Sequence, residues 1–246
     1  GSGNVASGSG AIAVGNGNTA SGANSLAAGS DALSTGLSSL AFNGSATEDR
    51  SVAIGYGAQA TGVAATAVGP SAISSCTGAV VLGPSIAAGS YAVAMGLQNS
   101  ASGDFSVAIG KNARTAHRQG SVVIGDGCAG FSYDSVYATA NNQFVVRGCG
   151  GIVMYTTQNL STGVNVAAGG GSWNSVSDRN LKENLLALDY EEVLFRLRNV
   201  PVTSWNYITE DRAIRHVGPM AQDWEAAFGL SGDSTRINTV DIDGIN

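Results

Sequence analysis

A short motif that recurs at a nearly constant spacing is the feature that most constrains this chain. Nine segments of the type AIAVG, SVAIG or SVVIG end at Gly15, Gly29, Asn43, Gly55, Gly69, Gly83, Gly96, Gly110 and Gly125. The spacings between these ends are 14, 14, 12, 14, 14, 13, 14 and 15 residues. Nine copies at such a period predict a solenoid, in which each copy forms one coil stacked on the previous one.

Within each copy the residues before the final glycine are large, small and large, as in Val52, Ala53 and Ile54. In a β-strand this order puts the large aliphatic side chains on one face and the alanines on the other. A stretch of small residues and a second turn follow, so one coil reads as strand, turn, short strand and turn. A coil this short, with alanine on its second face, predicts that other copies of the chain around an axis cover the alanines.

Asn43 stands where the other eight copies have glycine. Asparagine is the next-best residue where the backbone must be left-handed. We therefore expect a positive φ at Asn43.

The distribution of charge divides the chain into three regions. Residues 1–130 contain nine charged side chains, residues 131–176 contain two, and residues 177–246 contain nineteen. The middle region has β-type runs such as QFVVRGCG and GIVMYTT, bounded by glycines. We predict a mainly β protein with a parallel β-roll over residues 1–130, a β-rich neck over 131–176, and a small α+β domain over 177–246.

The third region shows the signals of two helices and a strand. Asp189 with Glu192 predicts the start of a helix that ends before Pro201. PVTSWNYI then predicts a strand, and MAQDWEAAF predicts a second helix that closes at Gly229.

Composition excludes several functions. A net charge of −6 with only two lysines, Lys111 and Lys182, argues against a nucleic-acid surface. No apolar run of 18 residues is present, which argues against membrane insertion. His117 and His216 are too few and too far apart for a metal site, and no motif calls for a cofactor.

Because the chain opens within a repetitive stretch, GSGNVASG, we expect it to be part of something longer.

The three cysteines, Cys76, Cys128 and Cys149, lack metal-ligand spacing. They are interpreted either as small buried hydrophobic residues or as disulfides between copies of an oligomer.

The nine in-register repeats, over about residues 5–130, resemble the head repeats of trimeric autotransporter adhesins of the YadA type. That resemblance implies a left-handed parallel β-roll packed as a homotrimer.

The blocks SDRNLKEN, PVTSWNY, RHVGPMAQDWEAAFGL and TVDIDG, over residues 177–246, resemble the C-terminal chaperone domain of endosialidase-type phage tail spikes. Many such domains direct trimerisation and then remove themselves with a serine–lysine dyad, cutting just before the serine. The resemblance implies that Ser177 is the nucleophile, that Lys182 is the base, and that the Val176–Ser177 bond is cleaved. In the family the domain continues into long helices, so we expect this chain to be truncated there and to cleave little by itself.

The chemistry of the dyad sets two conditions. A serine hydroxyl needs a base to take its proton, and a lysine, with a usual pKa of about 10.4, acts as that base only when burial lowers its pKa. A five-residue spacing does not fit one face of an ideal helix, so Ser177 must lie in a turn before the helix, or the pair must form in the trimer. From the residues alone, Ser177 is interpreted as a helix cap and Lys182 as a solvated side chain, and it is the family resemblance that favours the dyad; Asp178 is expected to be a cap.

The sequence therefore predicts a homotrimeric virion tail-fibre or appendage segment that attaches to a host-surface receptor, a glycan or another outer-surface component. The alternative is a bacterial surface adhesin. A glycan-cleaving tail spike is less favoured, because among the carboxylates of the repeats only Glu48 and Asp49 are adjacent. The expected location is the virion or an extracellular surface.

Overall fold

The structure is a computed structural model that describes residues 1–128, 134–230 and 232–241. It divides into two compact units. The first comprises Gly1–Ile152 with Ala167–Gly171, and the second comprises Val153–Val166 with the described residues from Ser172 onward. The last part of the TVDIDG block, residues 242–244, lies outside the described residues.

The first unit is a parallel β-solenoid, as predicted. Each repeat forms one long strand over its recurrent motif, and a further strand, Phe144–Val146, follows the last repeat. These strands are Ile12–Asn16, Leu26–Ser30, Leu40–Ala46, Val52–Ala60, Thr66–Val68, Val80–Leu82, Val93–Leu97, Val107–Lys111, Val122–Gly125 and Phe144–Val146. Each pairs in parallel with the equivalent residues of the next coil, so that Val93, Ala94 and Met95 lie beside Val107, Ala108 and Ile109.

A second parallel row is formed by the predicted short strands. Its members are Val5–Ala6, Thr19–Ala20, Leu33–Ser34, Ile73–Ser74, Ile86–Ala87, Ser100–Ala101, Ala113–Arg114 and Val136–Tyr137, together with the ends of Leu40–Ala46 and Val52–Ala60. Each coil thus consists of one strand from each row, joined by tight turns, and the two strands enclose the interior of the coil.

The alanine face lies inside the coil, which corrects the expectation that other chains cover it. The middle residue of the long strand is fully buried within the single chain in coil after coil, as at Ala41, Ala53, Ala94 and Ala108. The two rows of strands are close enough that side chains of this size fill the space between them. The coil therefore buries its own narrow core, and the large aliphatic side chains point outward.

Where the recurrent motif ends in glycine, the stacking of the coils requires that residue. Gly110 has a φ of 101°, which L-residues rarely adopt, and a Cβ there would overlap the carbonyl oxygen of Gly125 in the next coil. A side chain at this position of the coil would force neighbouring coils apart.

Buried asparagines join neighbouring coils at a corner, a feature that the sequence analysis did not identify. Asn18 Nδ2 donates to the carbonyls of Val14 (2.9 Å) and Gly29 (2.8 Å), and its Oδ1 accepts from the Ala32 N–H (2.9 Å). Asn99 repeats this arrangement further along the solenoid. Buried amides satisfied in this way hold the coil register through side-chain as well as backbone hydrogen bonds.

The prediction of a positive φ at Asn43 is confirmed, although its place in the turn differs. Its φ of 52° equals that of Asp31, whereas Gly29 has a φ of 102°. The register shifts between Phe42 and Gly44, so the shortened coil has lost the two residues that precede Asp31 in the coil before it. Asn43 Oδ1 also accepts a hydrogen bond from the Ser30 N–H at 2.8 Å.

The β-ladder continues into the segment expected to form the neck. Val136–Tyr137 and Phe144–Val146 pair in parallel with the preceding coil, and a disulfide then joins Cys128 to Cys149, whose Cα atoms are 5.8 Å apart. Both interpretations of these two cysteines were wrong, because the bond lies within one chain; Cys76 has a free thiol.

A charged cluster accompanies this disulfide. The Asp126 carboxylate accepts from the Cys149 N–H at 2.6 Å and from Arg147 Nε at 2.9 Å, and Arg147 also pairs with Asp134 at 2.6 Å. The Cys149 N–H, together with Arg147, holds the pKa of Asp126 below its ordinary value. These contacts and the disulfide fasten the last described coil.

The second unit contains the predicted helices and strand. Most residues of a three-stranded sheet, Gly151–Tyr155, Gly163–Ala167 and Asn174–Ser175, belong to this unit, and a hairpin pairs Thr203–Trp205 with His216–Gly218. Helix α1 spans Tyr190–Arg198 and helix α2 spans Ala221–Phe228. Asp189 caps α1 through the Glu191 N–H, whereas Glu192 pairs with Arg196. Gly229 closes α2 with a φ of 60°.

A matched pair of substitutions tests the direction of the two faces. Ala108→Glu should destabilise the solenoid by more than about 4 kcal/mol, because it puts a charge into a filled interior. Ile109→Glu, one residue further on the outer face, should destabilise the coil much less and act mainly by impairing association between chains. Thermal unfolding followed by circular dichroism, with light scattering, distinguishes the two effects, and equal unfolding of both variants would contradict the assignment.

The Asn43 turn gives a second prediction. Asn43→Gly should destabilise by about 1 kcal/mol, because the Ser30 N–H loses its acceptor although glycine tolerates the φ. Asn43→Val should cost more, since a β-branched residue also tolerates that φ poorly. Chemical denaturation measures both, and a more stable Asn43→Gly variant would show that the hydrogen bond contributes nothing.

Candidate functional site

One short turn brings the two predicted dyad residues together. Asp178 caps a 3-10 helix over Arg179–Leu181 by accepting from the Asn180 N–H at 2.9 Å. Lys182 follows with extended backbone. Asp178 thus has the capping role expected for it, and Ser177 lies just before the helix, in the turn that the spacing required.

The side chains of this turn meet directly. Lys182 Nζ donates to Ser177 Oγ at 2.6 Å. A 3-10 helix has about three residues per turn, so a single turn between residues five apart returns the chain toward its starting point. A serine hydroxyl in contact with an amine is the arrangement that proton transfer between them needs.

The backbone on the other side of Ser177 is fixed by a sheet. Asn174 and Ser175 pair with Asn165 and Val164 in an antiparallel arrangement, and the Val176 N–H donates to the Gly163 carbonyl at 3.3 Å. The peptide bond between Val176 and Ser177 therefore lies between a paired strand and a capped turn.

A groove of about 820 Å³ surrounds the pair. Its lining residues are Val164, Trp173, Asn174, Ser175, Ser177, Lys182, Thr239 and Val240. Trp173 and Thr239 were not singled out by the sequence analysis, because their place beside the dyad depends on how distant segments of the second unit pack.

The pair is open to solvent in the single chain. Both Ser177 and Lys182 are exposed. A lysine acts as a general base in its neutral form, which burial favours over the ammonium ion. The contact between the two side chains is present in one chain, and the burial that would activate it is not supplied by the described residues of that chain.

Another polar cluster in the second unit was not predicted. Glu210 Oε2 and His216 Nε2 are 2.8 Å apart, and the rings of Trp205 and Tyr207 lie against the imidazole, with centroids 4.7 and 5.8 Å away. The cluster joins the hairpin to the loop between its strands, so His216 has structural partners. His117 lies in the other unit.

The carboxylates of the repeats are used largely by the solenoid itself. Asp49 accepts from the Leu37 N–H at 2.9 Å, Asp104 accepts from the Ser90 N–H at 2.9 Å, and Asp126 is held by Cys149 and Arg147. Among the described residues, no helix is long and apolar enough to cross a membrane.

Comparison with known proteins agrees with both units. Three stretches of the solenoid, residues 6–32, 46–72 and 87–113, match the YadA head domain repeat, and residues 177–231 match the chaperone of endosialidase family. No curated protein matches the chain. The chain thus combines a region similar to YadA-type head repeats with a region similar to the chaperone of endosialidase.

Proposed function

We propose that this protein is a homotrimeric segment of a virion tail fibre or appendage that attaches to a host surface. Its C-terminal domain directs assembly of the trimer and then cuts the chain before Ser177. The contact between Lys182 Nζ and Ser177 Oγ is the observation on which the proposed cleavage rests. Assembly and attachment are supported by the outer face of the solenoid and by the domain combination.

The outer face of the long strands is suited to association. Large aliphatic and aromatic side chains form columns along the solenoid, and they remain well exposed in a single chain, at 58% for Val14, 47% for Phe42 and 38% for Met95. A regular apolar surface of this kind is normally covered by another protein. Copies of the same chain, related by an axis parallel to the solenoid, match its repeat without any change of register.

The disulfide and the domain combination support the location. A bond such as Cys128–Cys149 persists in oxidising surroundings, which suits an extracellular surface or appendage. A bacterial surface adhesin is the alternative function. The chaperone region that follows the repeats favours the virion, because the family that it resembles is found at the ends of phage tail fibres.

The carboxylates of the repeats favour attachment over glycan cleavage. Glycoside hydrolysis needs two available carboxyl groups facing the scissile bond. Asp49, Asp104 and Asp126 are instead hydrogen-bonded to backbone N–H groups.

The proposed cleavage needs only Lys182, Ser177 and the peptide bond before Ser177. Neutral Lys182 takes the proton from Ser177 Oγ, which attacks the carbonyl carbon of Val176. The carbon–nitrogen bond then breaks, the Ser177 nitrogen takes up the proton, and an ester joins Val176 to Ser177 Oγ. Water hydrolyses this ester to give a carboxylate at Val176 and a new chain that begins at Ser177.

Burial of Lys182 in the assembled trimer would couple this reaction to folding. In one chain the pair is exposed, so the amine remains solvated. Packing of neighbouring chains or of further helices over the groove would favour the neutral amine. Cleavage would then follow assembly rather than precede it.

Light scattering or native mass spectrometry in dilute buffer tests the assembly. We expect three copies of the chain, because the apolar columns exposed on a single chain favour association that removes them from water. A stable, folded monomer would contradict the proposal.

Intact-mass analysis tests the cleavage, on protein extended with the downstream helices that the family resemblance implies. We expect a product that begins at Ser177, formed faster at higher pH as more of the lysine becomes neutral. Ser177→Ala and Lys182→Ala should leave the chain whole, and Lys182→Arg should fail because arginine stays protonated. Ser175→Ala, which changes a serine of the same groove, should still cleave. An uncut wild-type trimer would leave this domain as a chaperone alone.

A further inference from the structure

The surface of the solenoid is interrupted by a groove at the shortened coil. The groove has a volume of about 590 Å³, and we call it the Asn43 notch. It is lined by Ser30, Asp31, Asn43, Gly44, Ser45, Tyr56, Gly57, Ala58 and Gln59.

The notch exists because two residues are missing from one turn. The coil before it turns through Gly29, Ser30 and Asp31, and the coil after it turns through Gly55, Tyr56 and Gly57. Between them the turn is reduced to Asn43, and the register shifts at that point. The neighbouring turns therefore project on either side of a gap.

An exposed aromatic ring stands at one wall of this gap. Tyr56 is 85% exposed, whereas the residues that follow the motif glycine in other coils include Asn16, Ser30, Pro70, Pro84, Leu97 and Lys111, none of which is aromatic. Nothing in the solenoid core requires a large aromatic residue on an outward turn. A tyrosine ring offers an apolar face to the carbon–hydrogen face of a sugar, together with a hydroxyl that forms hydrogen bonds.

Three polar side chains line the groove together with this ring. Gln59 and Asp31 are exposed, and Asn43 is half-buried. Because Asn43 Oδ1 accepts from the Ser30 N–H, its Nδ2 group is the part of the amide that can serve a ligand as donor. A concave site with one aromatic face and a few amide and carboxylate groups suits a polyhydroxylated ligand.

We propose that the Asn43 notch binds a neutral pyranose ring of a host-surface glycan, stacked on Tyr56 and hydrogen-bonded by Asn43, Gln59 and Asp31. The Asp31 carboxylate and the net charge of −6 disfavour an acidic sugar. This inference rests on the proposed function in attachment and names its receptor class. A trimer presents three notches, so weak single sites give strong attachment to a surface that displays many glycans.

Saturation-transfer NMR on the full chain tests the site, with methyl β-galactopyranoside and methyl β-glucopyranoside as neutral probes and a methyl sialoside as the acidic one. We expect saturation of the ring protons of at least one neutral probe and none for the sialoside. Tyr56→Ala should weaken binding about tenfold or more. Pro70→Ala, which changes the same turn position of the next coil, should leave binding unchanged.

A second variant tests the notch without removing the tyrosine. Insertion of Gly-Ser between Phe42 and Asn43 restores the turn of the preceding coil and should fill the gap, so binding should be lost while thermal unfolding stays cooperative. Absence of saturation transfer to both neutral probes, or binding unaffected by Tyr56→Ala or by the insertion, would overturn the assignment. Adhesion of the trimer to host cells separates the two proposals: adhesion that Tyr56→Ala leaves intact rejects the notch alone, and wild-type protein that does not adhere rejects the attachment function.

Discussion

The narrow interior of each coil is the constraint on which the rest of the solenoid depends. The two rows of strands are joined by tight turns, so they enclose only a thin space that alanine, serine and an occasional valine fill completely. The small side chains allow the coils to stack at strand spacing, with a glycine at the end of most of the repeats where a Cβ would meet the next coil. Asparagines at the corner then satisfy the backbone groups that the turn leaves unpaired.

A core made of alanine contributes little apolar area per residue, so the large side chains on the outer face matter for stability as well as for association. They are exposed in one chain and form continuous columns. Burial of these columns in a trimer would bring a second hydrophobic layer to a coil too thin to have one of its own. Under the proposed function, assembly and folding would be closely coupled, which would account for a chaperone-type domain after such repeats.

The geometry of the candidate site in the second unit is set mainly by one short turn. Its capping by Asp178 and the paired strand before Val176 restrict the backbone on both sides of Ser177, and the lysine reaches the hydroxyl within the same turn. Geometry is thus set locally, whereas the burial that would activate the lysine is not. Because the contact is made within one chain but the burial is not, the proposed reaction would depend on assembly.

The sequence by itself determined the solenoid, because the repeat period, the strand motif and the turn residues recur along the chain and can be read without knowing which distant residues are in contact. It also located the second unit's helices and the Ser177–Lys182 turn, since caps, spacing and family blocks are local signals. The tertiary structure decided which face of the strand is inside, because alternation separates two apolar faces without saying which of them fits a narrow core. It also decided the Cys128–Cys149 pairing, the corner asparagines and the Asn43 notch. Each of these depends on which residues become neighbours once coils of unequal length are stacked, and spacing along the chain does not specify that.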